Sequence, residues 1–192
     1  MNNKLFNELT IVIASLATNL SDDWINQINT FANNGIRIII SIPPGIHLED
    51  VYKKGFSKKV NIINSDLLGQ VNQRYFAHKY STTKFIMNMD DDIYIDLNDI
   101  KILLVQYYKL PFKSCLAPKL FQSKKVNKES RLLILFKNIF IYSSFVTPKS
   151  GSVARSSFPV PYRYNIATSV KKYQEVDWLA GGILLLHRSD LI

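Results

Sequence analysis

Three consecutive carboxylates, Asp90, Asp91 and Asp92, close a short apolar run in the segment KFIMNMDDDIYID, Lys84 to Asp96. Like charges held within about 7 Å of chain repel one another, and the repulsion falls when a cation neutralises them. Hard divalent cations such as Mg2+ and Mn2+ select oxygen ligands and commonly bridge one or two carboxylates to the phosphates of a substrate. The cluster therefore reads as half of a metal and diphosphate site, or else as a solvated acidic turn that caps the following segment. Its position favours the first reading, because it follows an apolar strand and Ile93, Tyr94 and Ile95 resume apolar character at once. An EF-hand is excluded: Tyr94 and Ile95 stand where that loop needs a third ligand and a glycine.

The elements that must hold these residues follow from apolar patterning. Leu9 to Ser15, Ile36 to Ile42, Val60 to Asn64 and Lys84 to Met89 are short β-branched or apolar runs of the kind that form buried strands. Between the first two, Ser21 caps a helix whose apolar face holds Trp24, Ile25, Ile28, Phe31 and Ala32, and Asn33-Asn34-Gly35 stops it. A second helix is expected over Asp66 to Tyr80 with Leu68, Val71, Tyr75 and Phe76 in phase. A third is expected over Asn98 to Tyr108, capped by Asn98 or Asp99. This rhythm predicts an α/β fold with a mostly parallel central sheet flanked by helices. In such sheets ligands collect beyond the carboxyl ends of the strands, which is where Asp90 to Asp92 fall.

Later in the chain, Ser114 to Ala117 reads as a short strand, Ser130 to Val146 as a helix or helix plus strand, Thr147 to Lys172 as loop, and VDWLAGGILLL, Val176 to Leu186, as ordered and buried. A length of 192 residues suits one domain. The net charge of +9 is uneven: residues 1–100 hold 9 Lys and Arg against 11 Asp and Glu, whereas residues 101–192 hold 15 against 4. A basic half favours anionic partners. Lys124, Lys125, Lys128, Arg131 and Lys137 around the apolar 132–146 segment suit a core helix with a solvated basic face, or an amphipathic helix lying on an anionic membrane. Nucleic acid is not expected as a partner, since no RNP, KH or double-stranded-RNA signature is present.

The lone Cys115 permits no intrachain disulfide and fits a reducing cytoplasm. The amino-terminal apolar run is too short for a secretory signal, and no stretch reaches the ~18 apolar residues of a transmembrane span. The expected location is thus cytoplasmic, or peripheral on the inner face of the membrane under the membrane reading. His47, His78 and His187 show no paired spacing, although His187 and Arg188 follow the last apolar strand within reach of an anion there.

FIMNMDDDI resembles the DxD strand of glycosyltransferase family 2, the inverting nucleotide-sugar enzymes of the GT-A fold. LTIVIASLATN is similar to that family's first strand and nucleotide-facing loop. GQVNQRYFAHKY resembles the helix that carries an arginine ahead of the DxD strand, and VDWLAGGILLLHRSDLI resembles its acceptor-side segment. The resemblance implies one GT-A-like domain over 1–192, with a nucleotide-sugar-binding half at 1–118 and an acceptor-side half at 119–192 that is incomplete at its carboxyl end. It implies Asp92 as the Mn2+ or Mg2+ ligand with Asp90 in support, and Arg74, Asp90 and Asp91 on the nucleotide sugar. Trp178, Gly181 and Gly182 would line the acceptor side, with Asp177 as catalytic base.

The implied reaction is metal-dependent transfer of a sugar from a nucleotide-diphosphate sugar to a saccharide or lipid-linked acceptor, in surface polysaccharide or glycolipid synthesis. Two departures accompany it: Ser41 stands where the family places a base-reading aspartate at the end of its second strand, and the family's downstream acidic pair is absent before Ile192. The chain is accordingly expected to be an amino-terminal portion or a shortened member. The alternative expectation is a catalytically inactive GT-A relic that binds nucleotide or a membrane partner without transfer.

Overall fold

Runs such as LTIVIA and RIIISI, apolar on both faces, can be satisfied only inside a sheet covered from above and below. The computed structural model, which describes residues 3–110, 115–118 and 182–191, contains that sheet. The described elements are α1 (Asn3–Phe6), β1 (Leu9–Ala14), α2 (Asp22–Asn33), β2 (Arg37–Ile42), α3 (Leu48–Tyr52), β3 (Val60–Asn64), α4 (Gln70–Tyr80), β4 (Phe85–Met89), α5 (Leu97–Tyr107) and β5 (Ile183–His187), followed by a 3-10 turn at Arg188–Leu191. All of them belong to one unit formed by residues 1–118 and 180–192. The five strands lie in the order β3-β2-β1-β4-β5. The first four are parallel and β5 runs antiparallel to β4, with Met89 opposite Ile183 and Phe85 opposite His187. The fold is therefore α/β with a mostly parallel sheet flanked by helices, as expected.

Strand order decides where the helices go. From β1 through β2 to β3 the chain steps in one direction across the sheet, and from β3 to β4 it crosses back. Right-handed crossovers then place α2 and α4 on opposite faces. The α4 face is marked by Val12, Ile39, Ala77, Ile86 and Leu186, which pack together. Phe85 points the other way by the period of two, and its ring meets Tyr107 of α5 edge-on at 5.3 Å. The reversal of direction occurs between β1 and β4, the kind of position at which open α/β sheets bind ligands.

α2 forms as its sequence dictates. Ser21 Oγ accepts from Trp24 N at 3.2 Å, and Trp24, Ile25, Ile28, Phe31 and Ala32 are the buried set. Gly35, at φ +92°, takes the left-handed conformation that ends the helix. Three expectations need correction. A short helix, α3, unforeseen in the sequence, lies between β2 and β3, because parallel neighbours require a crossover and five residues with one buried side chain, Val51, are enough to begin it. α5 is capped by Asp96, whose carboxylate accepts from Asp99 N at 2.8 Å, rather than by Asn98 or Asp99.

The third correction concerns α4. It begins at Gln70 rather than Asp66, after Gly69 at φ +102°, and it is rotated from the expected phase. Its buried residues are Gln73 and Ala77, whereas Leu68, Val71 and Tyr75 are exposed by 69%, 80% and 62%. Of the expected strand at 114–117, the described part shows only an isolated bridge between Leu116 and Leu185. The 130–146 and 147–172 expectations lie outside the described residues. No helix among the described residues is long and apolar enough to cross a membrane.

Candidate functional site

The rotation of α4 follows from what its inner face must meet. Gln70, Arg74 and His78, spaced four apart, form one stripe on a helix. All three face β4 and its extension: Gln70 Nε2 donates to Asp90 Oδ1 at 3.0 Å, Arg74 forms an ion pair with the same carboxylate oxygen, and His78 Nε2 lies 2.7 Å from Asn88 Oδ1. The amide oxygen of Asn88 is an acceptor, so Nε2 carries the proton of a neutral imidazole. Burial holds the His78 pKa below the ordinary value of 6.5, opposed by the bond to Asn88 and reinforced by the Arg74 charge. Gln73, one position off the stripe, is 3% exposed. Its amide nitrogen donates to Ser15 O at 3.0 Å and to Ser41 O at 2.8 Å, closing the ladder where β1 and β2 end.

The three aspartates do not act as one cluster. Asp90 turns toward α4, where Gln70 and Arg74 engage it. Burial raises its pKa above the ordinary value of 3.8, with Arg74 pulling it down and Asp92 and Asp91 adding to the rise. Its backbone N–H donates to Gly182 O at 2.8 Å, so the expected acceptor-side glycine lies directly beside the acidic turn. Asp91 turns toward β1 and accepts from Ser15 Oγ at 2.6 Å. Asp92 is exposed and engages no side-chain partner among the described residues.

A cleft of about 540 Å³ opens beyond the carboxyl ends of β1 and β2. That volume is in the range of small-molecule sites, which run roughly 300–1,000 Å³. Asp91 and Asp92 line it together with Ser15, Leu16, Thr18 and Asn19 after β1, Pro43 after β2, and Leu68, Gly69, Gln70 and Gln73 at the start of α4. The cleft thus combines an apolar floor from Ala14, Leu16, Pro43 and Leu68 with two carboxylates at one end.

Among the described residues no group of three or more His, Cys, Asp or Glu side chains converges as a ready-made metal cage. The donors present instead match the arrangement in which a hard cation takes one or two carboxylates and completes its shell with substrate phosphates and water. Asp92 is the carboxylate with no competing partner, and Asp91 is its neighbour on the same wall. These two residues fit a Mg2+- or Mn2+-type ion on chemistry and placement.

The other sequence candidates are distributed as follows. Asp90 and Arg74 are joined to each other and are not among the residues lining the cleft. Ser41, expected at the base-reading position, is fully buried and gives its carbonyl to Gln73 and to the N–H of Ser15. His187 and Arg188 lie at the opposite end of the sheet from the cleft, with Arg188 N donating to Lys84 O, so they do not reach an anion bound there. Asp177, Trp178 and Gly181 lie outside the described residues. Reading the sequence missed Ser15, Gln70 and Gln73. The available signal was the low apolar content of 70–80, where polar residues at 70, 73, 74 and 78 trace one face of the helix.

No protein-family model and no curated protein matches the chain. Among solved structures it is similar to residues 1–349 of TarS from S. aureus, with a TM-score of 0.38 and 14% identity over 52% of this chain. The chain spans 33% of that structure's length. The functional reading accordingly rests on the geometry of the cleft.

Proposed function

We propose that the described unit binds a nucleotide-diphosphate sugar in this cleft and that the protein is a glycosyltransferase of the GT-A type, transferring the sugar to a saccharide or lipid-linked acceptor. The observation that carries the reading is the pairing of a cleft at the topological switch between β1 and β4 with an unengaged carboxylate, Asp92, on its wall. The apolar floor offers a surface for a base and sugar, and the acidic end suits a cation-bridged diphosphate. Asp92, with Asp91 beside it, would hold the cation. When bound, Mn2+ or Mg2+ supplies Lewis-acid neutralisation of the charge on the departing nucleoside diphosphate. Asp177 is the proposed base for the acceptor hydroxyl, and Trp178, Gly181 and Gly182 the proposed acceptor side.

Arg74 takes a different part in this proposal from direct capture of phosphate. Its guanidinium offsets Asp90, so that the acidic turn carries two open charges in place of three. A thermal-shift titration of the full chain with UDP-, GDP-, ADP- and dTDP-sugars, with and without Mn2+, tests the proposal. A ligand that binds the folded state alone stabilises it by about RT ln(1 + [L]/Kd) and so raises the melting temperature. The expected outcome is a Mn2+-dependent rise with one class of nucleotide sugar, and no rise with any of them contradicts the proposal.

A further inference from the structure

Ser15 occupies a junction. Its hydroxyl donates to Asp91 Oδ2 at 2.6 Å, and Ser15 Oγ itself accepts from Ala17 N at 2.9 Å. Its own N–H donates to Ser41 O at 3.0 Å, and its carbonyl accepts from the buried Gln73. Every polar group of a residue that is 3% exposed is therefore committed. Two residues on, Ala17 has φ +56°, a left-handed conformation unusual for a residue with a Cβ, and it is 5% exposed. Such a conformation is unfavourable for a residue with a Cβ and persists only where surrounding bonds impose it. The hydroxyl of Ser15 is one such bond.

The geometry points to Ser15 as a positioning residue that locks the turn after β1 to the acidic turn after β4, fixing Asp91 and the cleft wall of Leu16 to Asn19 as one piece. This deepens the proposed function and rests on it for its consequence: with Asp91 held by Ser15 and Asp90 by Arg74, Asp92 is presented in a fixed place at the cleft. The free-state coupling itself stands on the bonds alone. Hydrogen bonds to a charged group are stronger than those between neutral groups, so the bond to Asp91 can order both turns.

Two measurements on the full chain test it. Amide hydrogen exchange of the free protein reads the coupling directly: Ser15→Ala is expected to raise exchange at Ala17 about tenfold or more while Val12, in the centre of β1, is unchanged. Asp91→Ala, a change at a half-exposed side chain, is expected to raise exchange at Ala17 in the same direction. Calorimetric titration with UDP, GDP and ADP in Mn2+ reads the consequence. Each variant is expected to weaken binding of the nucleotide, and Ser15→Ala is expected to add little in the Asp91→Ala background, because Ser15 acts on the cation through the Asp91 carboxylate that the second change removes.

Unchanged exchange at Ala17 in both variants overturns the coupling, and so do losses of affinity that add in full. A wild-type chain that binds none of these nucleotides and none of the four nucleotide sugars named above overturns the proposed function, and the exchange result then still decides the role of Ser15. A Ser15→Ala chain that fails to fold leaves the decision to Asp91→Ala.

Discussion

α2 and α4 cover opposite faces of one sheet by opposite means. α2 presents Trp24, Ile25, Ile28, Phe31 and Ala32 inward and keeps Asp22, Asp23, Asn26, Thr30 and Asn33 in solvent, with Gln27 and Asn29 half-buried at its edges. α4 presents Gln70, Gln73, Arg74 and His78 toward the sheet and the acidic turn and leaves Val71 and Tyr75 in solvent. The first arrangement maximises apolar burial and is what amphipathic patterning anticipates. The second forgoes some of it so that four polar helix side chains can organise β4, the strand ends and the acidic turn. Where local patterning and observed packing disagree, the disagreement is concentrated at the candidate site, the expected signature of a region shaped by chemistry as well as by stability.

The contrast can be broken with a matched pair of substitutions. Ile28→Ala on α2 empties a fully buried position and is expected to cost about 3 kcal/mol in urea unfolding. Val71→Ser on α4 alters the position an amphipathic reading would bury, yet it is expected to cost less than about 0.5 kcal/mol because the side chain is 80% exposed. Comparable costs at the two positions would refute the rotation of α4.

His78 sharpens the comparison further, with a smaller effect. Its folded pKa is depressed below 6.5 by burial, so the neutral ring's contribution to stability is fully present above that value and is lost as pH falls through the depressed folded value. The melting temperature is expected to drop over that interval. His78→Gln, which can still donate to Asn88, is expected to flatten the drop. Asp90 acts in the opposite sense at lower pH. Its raised pKa favours the protonated form in the folded state, a contribution present below 3.8 and lost as pH rises through the folded value.

Much of the fold was legible because its signals are local. β1 to β4 are continuous apolar or β-branched runs, and α2 carries its own cap, apolar face and terminating glycine. α3 was too short to show a period, and the phase of α4 was misread because Leu68, Val71 and Tyr75 imitate a core stripe. The acidic turn is legible as a charge cluster, but the partners that engage each carboxylate are not. Asp90, Asp91 and Asp92 are the same residue three times over. They are told apart only by partners distant in sequence, Arg74 for the first and Ser15 for the second, which the fold brings to them.

That division is the central claim, and titration of Mn2+ with the nucleoside diphosphate that binds, across Asp90→Asn, Asp91→Asn and Asp92→Asn, tests it most directly. Asp92→Asn is expected to remove the Mn2+-dependent part of the affinity while costing the free protein no stability, since the carboxylate it alters has no side-chain partner among the described residues. Asp90→Asn is expected to change stability before it changes metal dependence, through its bond to Arg74. An Asp92→Asn chain that binds the Mn2+-diphosphate as tightly as the wild type would contradict the account.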